Sequence, residues 1–185
     1  MNRWVIAACA LMSSWASATS MVALDVEALT RSSAAVVRAK VLSVKAHWTA
    51  DHTRIVTETT LEVQEAWKGA PAKVITVTQP GGEVGDVGQK VEGIAAFTPS
   101  EEVVLFLEAR GTERFTVAGM AQGRFRVERS SDGAAVYARQ DQAADLFLID
   151  PHTHQPTAQP PLVLAADALK KRVQLVATQK SGLDR

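Results

Sequence analysis

The sequence predicts a mainly β domain: a small antiparallel barrel preceded by a short N-terminal helix and followed by a C-terminal helix. Three observations carry this expectation. Apolar and polar positions alternate with a two-residue period from Val36 to Val127, turn residues break that rhythm at short intervals, and the spacing becomes helical beyond Leu162.

The first 18 residues have the three parts of a secretory signal: a positive charge at Arg3, a short apolar core over residues 4–12, and a small-x-small ending at Ala16-Ser17-Ala18. The apolar run is too short to remain in a bilayer as an anchor and lacks the amphipathic spacing that docks a helix on a core. Cleavage after Ala18 is expected, which exports the chain to the periplasm or the exterior with Thr19 as its first residue. Cys9, the single cysteine, follows Ile6-Ala7-Ala8 as in the box where bacterial lipoproteins are cut and acylated. Few residues precede it, however, and the apolar stretch continues past it. Removing residues 1–18 leaves no cysteine, and hence no disulfide, thiolate nucleophile or cysteine-ligated metal.

The barrel domain is expected over residues 19–149. Asp25 can cap a short helix that ends near Ser32 and Ser33. Residues 35–48 form a long strand whose alternation slips after Val41, the mark of a β-bulge. Residues 49–53, polar and turn-like, close a hairpin onto residues 54–67, where Ile55, Thr57, Thr59, Leu61 and Val63 share one face. Lys68-Gly69-Ala70-Pro71 turns the chain into a third strand over 73–78. Four glycines follow within residues 79–88, then a short strand over 90–94. Residues 103–107 are almost unbroken apolar sequence and predict a strand buried on both faces. Residues 115–118, 123–129 and 135–137 complete six to eight strands, with Ser130-Ser131-Asp132-Gly133 as a turn before the last.

Residues 150–161, with four prolines and two histidines, predict an exposed linker. From Leu162 the residues Leu164, Ala168, Leu169, Val173 and Val176 recur at helical spacing, with Lys170, Lys171 and Arg172 opposite, so residues 162–185 are expected as a C-terminal helix and tail. Lys+Arg 20 balance Asp+Glu 20, and two of the four tryptophans fall in the signal. A basic excess and stacking rings, the usual footprint of nucleic-acid binding, are both missing.

A run of alternating strands with a bulge and no helix-rich stretch between them implies an antiparallel barrel or sandwich, and the oligonucleotide/oligosaccharide-binding (OB-like) barrel is the five-stranded option at this size. The segment Ser33-Ala34-Ala35-Val36-Val37-Arg38-Ala39-Lys40-Val41, then Arg54-Ile55, then Val63-Gln64-Glu65-Ala66-Trp67-Lys68-Gly69, resembles the opening strands of the tissue inhibitors of metalloproteinases and the related netrin-type modules. That resemblance implies an OB-like barrel and, by analogy, inhibition of a metalloprotease. The inhibitors chelate their target's zinc through a mature N-terminal cysteine held by disulfides. This chain would begin at Thr19, so no inhibitory residue carries over. Gly81-Gly82 and Gly119-Met120-Ala121-Gln122-Gly123-Arg124-Phe125 are similar to exported bacterial proteins of the same layout, which implies a compartment and no activity.

The glycine run lacks the Gly-Lys-Ser/Thr ending and the following helix of a phosphate loop. His152-x-His154 near Asp150 has a spacing that can bind metal, although such a pair in a proline-rich segment is ordinarily exposed and unliganded. Glu101 and Glu102 are neighbours on a strand and point to opposite faces, so they cannot share a substrate. No catalytic, cofactor or metal residue is assigned. The expected function is an exported, non-enzymatic binding module, monomeric and without a membrane span, that contacts a protein or cell-surface partner. The alternatives are a secreted protease inhibitor and a structural envelope protein. Trp48, Trp67, His47 and His52 are the candidate contacts, because tryptophans at strand ends often anchor interfaces, with a core role the stronger reading for Trp67.

Overall fold

A computed structural model describes residues 21–158 and 161–183; the expected signal and Cys9 lie outside them. A two-residue strand β1 (Met21–Val22) leads into helix α1 (Val26–Ser32). Asp25 is its N-cap as expected, accepting from Ala28 N–H at 2.6 Å. At the other end, the Lys68 ammonium donates to the Thr30 and Ser33 carbonyls, both at 2.5 Å, and satisfies acceptors that the end of a helix leaves open.

Strands β2 (Ala35–Trp48), β3 (Ile55–Lys68) and β4 (Val74–Pro80) form the expected meander. The slip expected after Val41 is present between Val41 and Ser43, and two further register shifts fall at Val36/Val37 and Arg38/Ala39. Each bulge adds twist, which lets a long strand coil far enough to close a barrel. The ribbon β5 (Gly82–Val84) and β6 (Val87–Gln89) follows, then β7 (Glu102–Ala109) and β8 (Arg114–Val117). β7 pairs with β2 on one edge and with β8 on the other, and β8 also pairs with β4, closing a five-stranded barrel in the order β7-β2-β3-β4-β8. The expectation of an antiparallel barrel holds for every pair except β4–β8, which is parallel. An odd number of strands cannot alternate direction all the way round, so one neighbouring pair must run the same way.

β8 occupies the edge of β7 along Leu107–Ala109, whereas β9 (Arg124–Arg129) takes the same edge along Val103–Leu105. Between them the chain steps aside through Gly119 at φ 62° and a 3-10 turn at Met120–Gly123. A Cβ on Gly123 would stand 2.2 Å from the Ala118 carbonyl oxygen, so only glycine fits. β9 then carries the same sheet outward from the barrel to β10 (Val136–Gln140). β11 (Leu148–Ile149) and β12 (Pro156–Thr157) pair beside β1, and β13 (Leu162–Ala165) pairs with β10 ahead of helix α2 (Ala166–Leu183).

Two cores share β2 and β7. Val37, Ala39, Val41, Leu61, Ile75, Val77, Val103, Leu105, Leu107 and Phe115 fill the barrel. The alternate residues Val36, Val104 and Phe106 face outward and meet Phe125, Val127 and Ala138 beneath Val26 and Leu29 of α1 and Leu169 and Val173 of α2. β7 is therefore buried on both faces, as its unbroken apolar run predicts.

Three expectations are corrected. The short strand expected over 90–94 is irregular, and the glycine run before it forms the β5–β6 ribbon instead. The tail from Leu162 begins as a strand, because Leu162 and Leu164 alternate into the outer core while pairing with β10, and the helix starts only at Ala166. Residues 150–161 are not wholly linker, since Pro156–Thr157 pairs with β11.

Candidate ligand cleft at the barrel mouth

β7 pairs with β2 only along Ala35–Lys40, whereas β4 follows the tip half of β3 from Val56 to Glu62, so the β2–β3 hairpin runs on past β7 at one end of the barrel. The β5–β6 ribbon lies against its base. A Cβ on Gly82 (φ 133°) would come within 2.5 Å of Thr57 Oγ1 and 2.8 Å of the Ala46 Cβ, so the ribbon can seat this closely only where a residue without a side chain passes. Gly81 N–H donates to the Ile55 carbonyl at 2.9 Å, Ile55 N–H to Gln89 Oε1 at 2.8 Å, and Thr57 Oγ1 to the Gly81 carbonyl at 2.7 Å.

Beyond the ribbon, residues 90–97 cross the mouth outside any sheet. Two anchors hold this segment: Gly93 O accepts from Ala121 N–H at 2.9 Å, and the Gln142 amide brackets Ala96 by accepting from its N–H at 2.8 Å and donating to its carbonyl at 3.1 Å. Ribbon, hairpin and crossing segment enclose a cleft of about 350 Å³ walled by Val44, Ile94 and Phe97, with Thr57, Gln79 and Gln89 as its polar side chains.

Gln79 sets the character of this cleft. It follows Ile75 and Val77 on the barrel-facing phase of β4, is 4 % exposed, and makes no side-chain hydrogen bond among the described residues. Deeper along the same face of β3, the Thr59 hydroxyl is buried and also has no partner among them. The Nε2 and Oε1 of Gln79 are not among the fully buried unpaired atoms, so the amide opens into the cleft and is free to bond a molecule there. The Phe97 wall is fixed from behind: the Arg124 guanidinium lies 5.9 Å from its ring centroid, with Arg124 held by Glu101 at 2.7 Å and Asp141 at 2.9 Å.

The candidate contacts read from sequence do not form one site. Trp48 and His52 meet at the hairpin tip with ring centroids 6.5 Å apart. His47, next to Trp48 on the strand, points to the opposite face and is exposed. Asp51 ties the tip together by accepting from Thr49 Oγ1 at 2.5 Å and from Thr53 N–H and Oγ1, and these bonds hold its carboxyl down at about 2. Trp67, at the far end of β3, is 5 % exposed and packs in the outer core, with Nε1 donating to Glu65 at 3.2 Å. Its ring is not available to a partner.

Glu101 and Glu102 diverge as their adjacency requires: Glu101 turns to Arg124, while Glu102 binds Arg38 at 2.6 Å and Arg129 at 3.0 Å. Asp150 accepts from the backbone N–H groups of His152 and Thr153, both at 2.8 Å, which lowers its pKa and commits it to its own turn. Sequence reasoning missed Thr57, Gln79 and Gln89. The available signal was Gln79 itself, a polar side chain on the apolar phase of a strand. No protein-family model matches the chain, and no curated protein is significantly similar to it.

Proposed function

We propose that the protein is an exported module that acts by binding, and that the barrel mouth is where it binds. The observation that carries this reading is the Gln79 amide, on a residue 4 % exposed and without a partner among the described residues, opening into a mostly apolar cleft. Clefts of this kind, mostly apolar with a few convergent polar groups, are the usual seats of ligands. The half-buried Trp48 and the exposed His52 stand on the hairpin beside it and extend the surface a protein or cell-surface partner would touch.

The strand order, with its single parallel closure between the third and fifth barrel strands, supports an OB-type barrel. In that fold the second and third strands and their loops are the habitual binding face. Here that face presents Glu58, Thr60, Glu62 and Thr76, with Glu58 paired to Arg114 at 2.8 Å. Acids and threonines without a ring to stack on suit a protein partner better than a nucleic acid. Export rests on the signal pattern of residues 1–18. Among the described residues no helix is long and apolar enough to cross a membrane.

The test is site-specific photo-crosslinking in the producing cell, with a benzophenone amino acid replacing His52 beside the mouth or Arg110 on the β7–β8 loop. A discrete adduct from position 52 and none from 110 is the expected result. Equal labelling at both positions contradicts the assignment. N-terminal sequencing of the same material tests export, with Thr19 expected as the first residue.

A further inference from the structure

We infer that the cleft recognises peptide, taking one aliphatic side chain against its walls while the Gln79 amide pairs with the backbone amide of that residue. The inference rests on the reading of the barrel mouth as the binding site and adds the chemical class of its ligand.

A primary amide offers one acceptor oxygen and two N–H donors. Its natural complement is a planar group that presents a donor and an acceptor together, as a peptide unit does. A carboxylate or phosphate would satisfy the donors alone and would bring charge into a cleft whose one charged lining residue, Lys90, is exposed and paired with Glu92 at 2.8 Å. Bare hydrocarbon would leave the amide unpaired, with the penalty that entails.

The walls narrow the choice further. Val44, Pro80, Val91, Ile94, Ala95 and Phe97 form a surface rich in methyl and methylene groups, which rewards a branched aliphatic side chain. A sugar would bring several hydroxyls, each needing a partner. Of the three polar side chains available, Thr57 already donates to Gly81 and Gln89 already accepts from Ile55. Among the described residues, Gln79 alone of the three is wholly uncommitted. One amide with an aliphatic neighbour matches this supply, and a ring of hydroxyls exceeds it. At about 350 Å³ the cleft is near the lower end of ligand pockets, the right scale for one residue of a longer chain.

The test is a titration of the ¹⁵N-labelled chain, followed by two-dimensional NMR, with N-acetyl-leucine methylamide in one arm and N-acetylglucosamine in the other. The leucine probe is expected to shift the Gln79 side-chain NH₂ pair and the backbone signals of Thr57, Gln89 and Ile94, with a Kd of about 1 mM for a ligand of that size. Gln79→Leu is expected to weaken it about tenfold. Ile94→Ser, on the crossing segment and outside the sheet, should also weaken it and serves if the first variant does not fold. If the sugar shifts these signals and the leucine probe does not, the peptide assignment falls and the binding site stands. If neither probe moves them, both fall. Unchanged leucine-probe affinity in Gln79→Leu overturns the role given to that amide.

Discussion

Replacing Arg124 with methionine tests how the mouth is held. Arg124 is 2 % exposed, and its guanidinium bridges Glu101 at 2.7 Å and Asp141 at 2.9 Å behind Phe97. Methionine keeps the length of the side chain and removes the charge. Asp141 retains Arg126 at 2.5 Å, but Glu101, 13 % exposed, keeps only the Thr98 N–H at 2.8 Å and loses its cation. Breaking one partner of a buried pair costs about 3–5 kcal/mol, and the retained Arg126 contact places Arg124→Met near the lower end, at about 3 kcal/mol. The wild-type network is itself incompletely satisfied, because Arg124 Nε is buried with no partner among the described residues. Adding Glu101→Gln to Arg124→Met removes the stranded charge and should recover about half of the loss. Urea unfolding at pH 7 measures both, provided the m-values agree. A loss below about 1 kcal/mol for the single variant, or a double variant no more stable than the single, refutes the claim that buried charge pairing holds this wall.

Gly123→Ala should destabilise by about 3 kcal/mol in the same assay, since its Cβ would meet the Ala118 carbonyl oxygen at 2.2 Å where β8 hands over to β9. Leu169→Ala should cost about 2–5 kcal/mol, because Leu169 is fully buried where α2 covers the outer core; calorimetry will show it as a lowered Tm. Asp51, held at about 2 chiefly by the Thr49 hydroxyl and then by Thr53, gives a stabilising contribution that is complete above its ordinary value of 3.8 and is lost as pH falls through about 2. Carboxyl NMR should place its midpoint near 2, and Thr49→Val should move that midpoint up toward 3.8.

Where one periodicity spans many residues, the sequence was a good guide. β2 and β3 run 14 residues each with a steady alternation, and even the bulge after Val41 shows as a slip of phase. β7 was legible for another reason: an apolar run must be covered on both sides, and the two cores cover it. Short elements left weaker marks. The four residues of β13 alternate, yet Leu164 also begins the helical series that continues through Ala168, so the two patterns overlap and the longer one dominates. The β4–β8 closure depends on only two paired positions, Thr76 with Arg114 and Val77 with Phe115, too few to leave a periodic signature.

The site was the least legible part. Trp48 and Trp67 both sit near strand ends, and burial alone separates them: one lies at the hairpin tip, the other under the helices. The cleft is assembled from β2, β3, β4, the β5–β6 ribbon and the crossing segment, whose proximity follows from closure of the barrel and not from local sequence. Gln79 was visible as a break in phase, but only the closed barrel reveals that its amide is left without a partner among the described residues.

The most direct measurement is the unfolding free energy of Gln79→Leu in the absence of any ligand. If that amide is kept for something outside the chain, leucine breaks no bond within the fold, and the variant should be at least as stable as the wild type. If the amide supports the fold, the same substitution should lower stability by about 1 kcal/mol or more, and the barrel mouth would lose its claim to be the binding site.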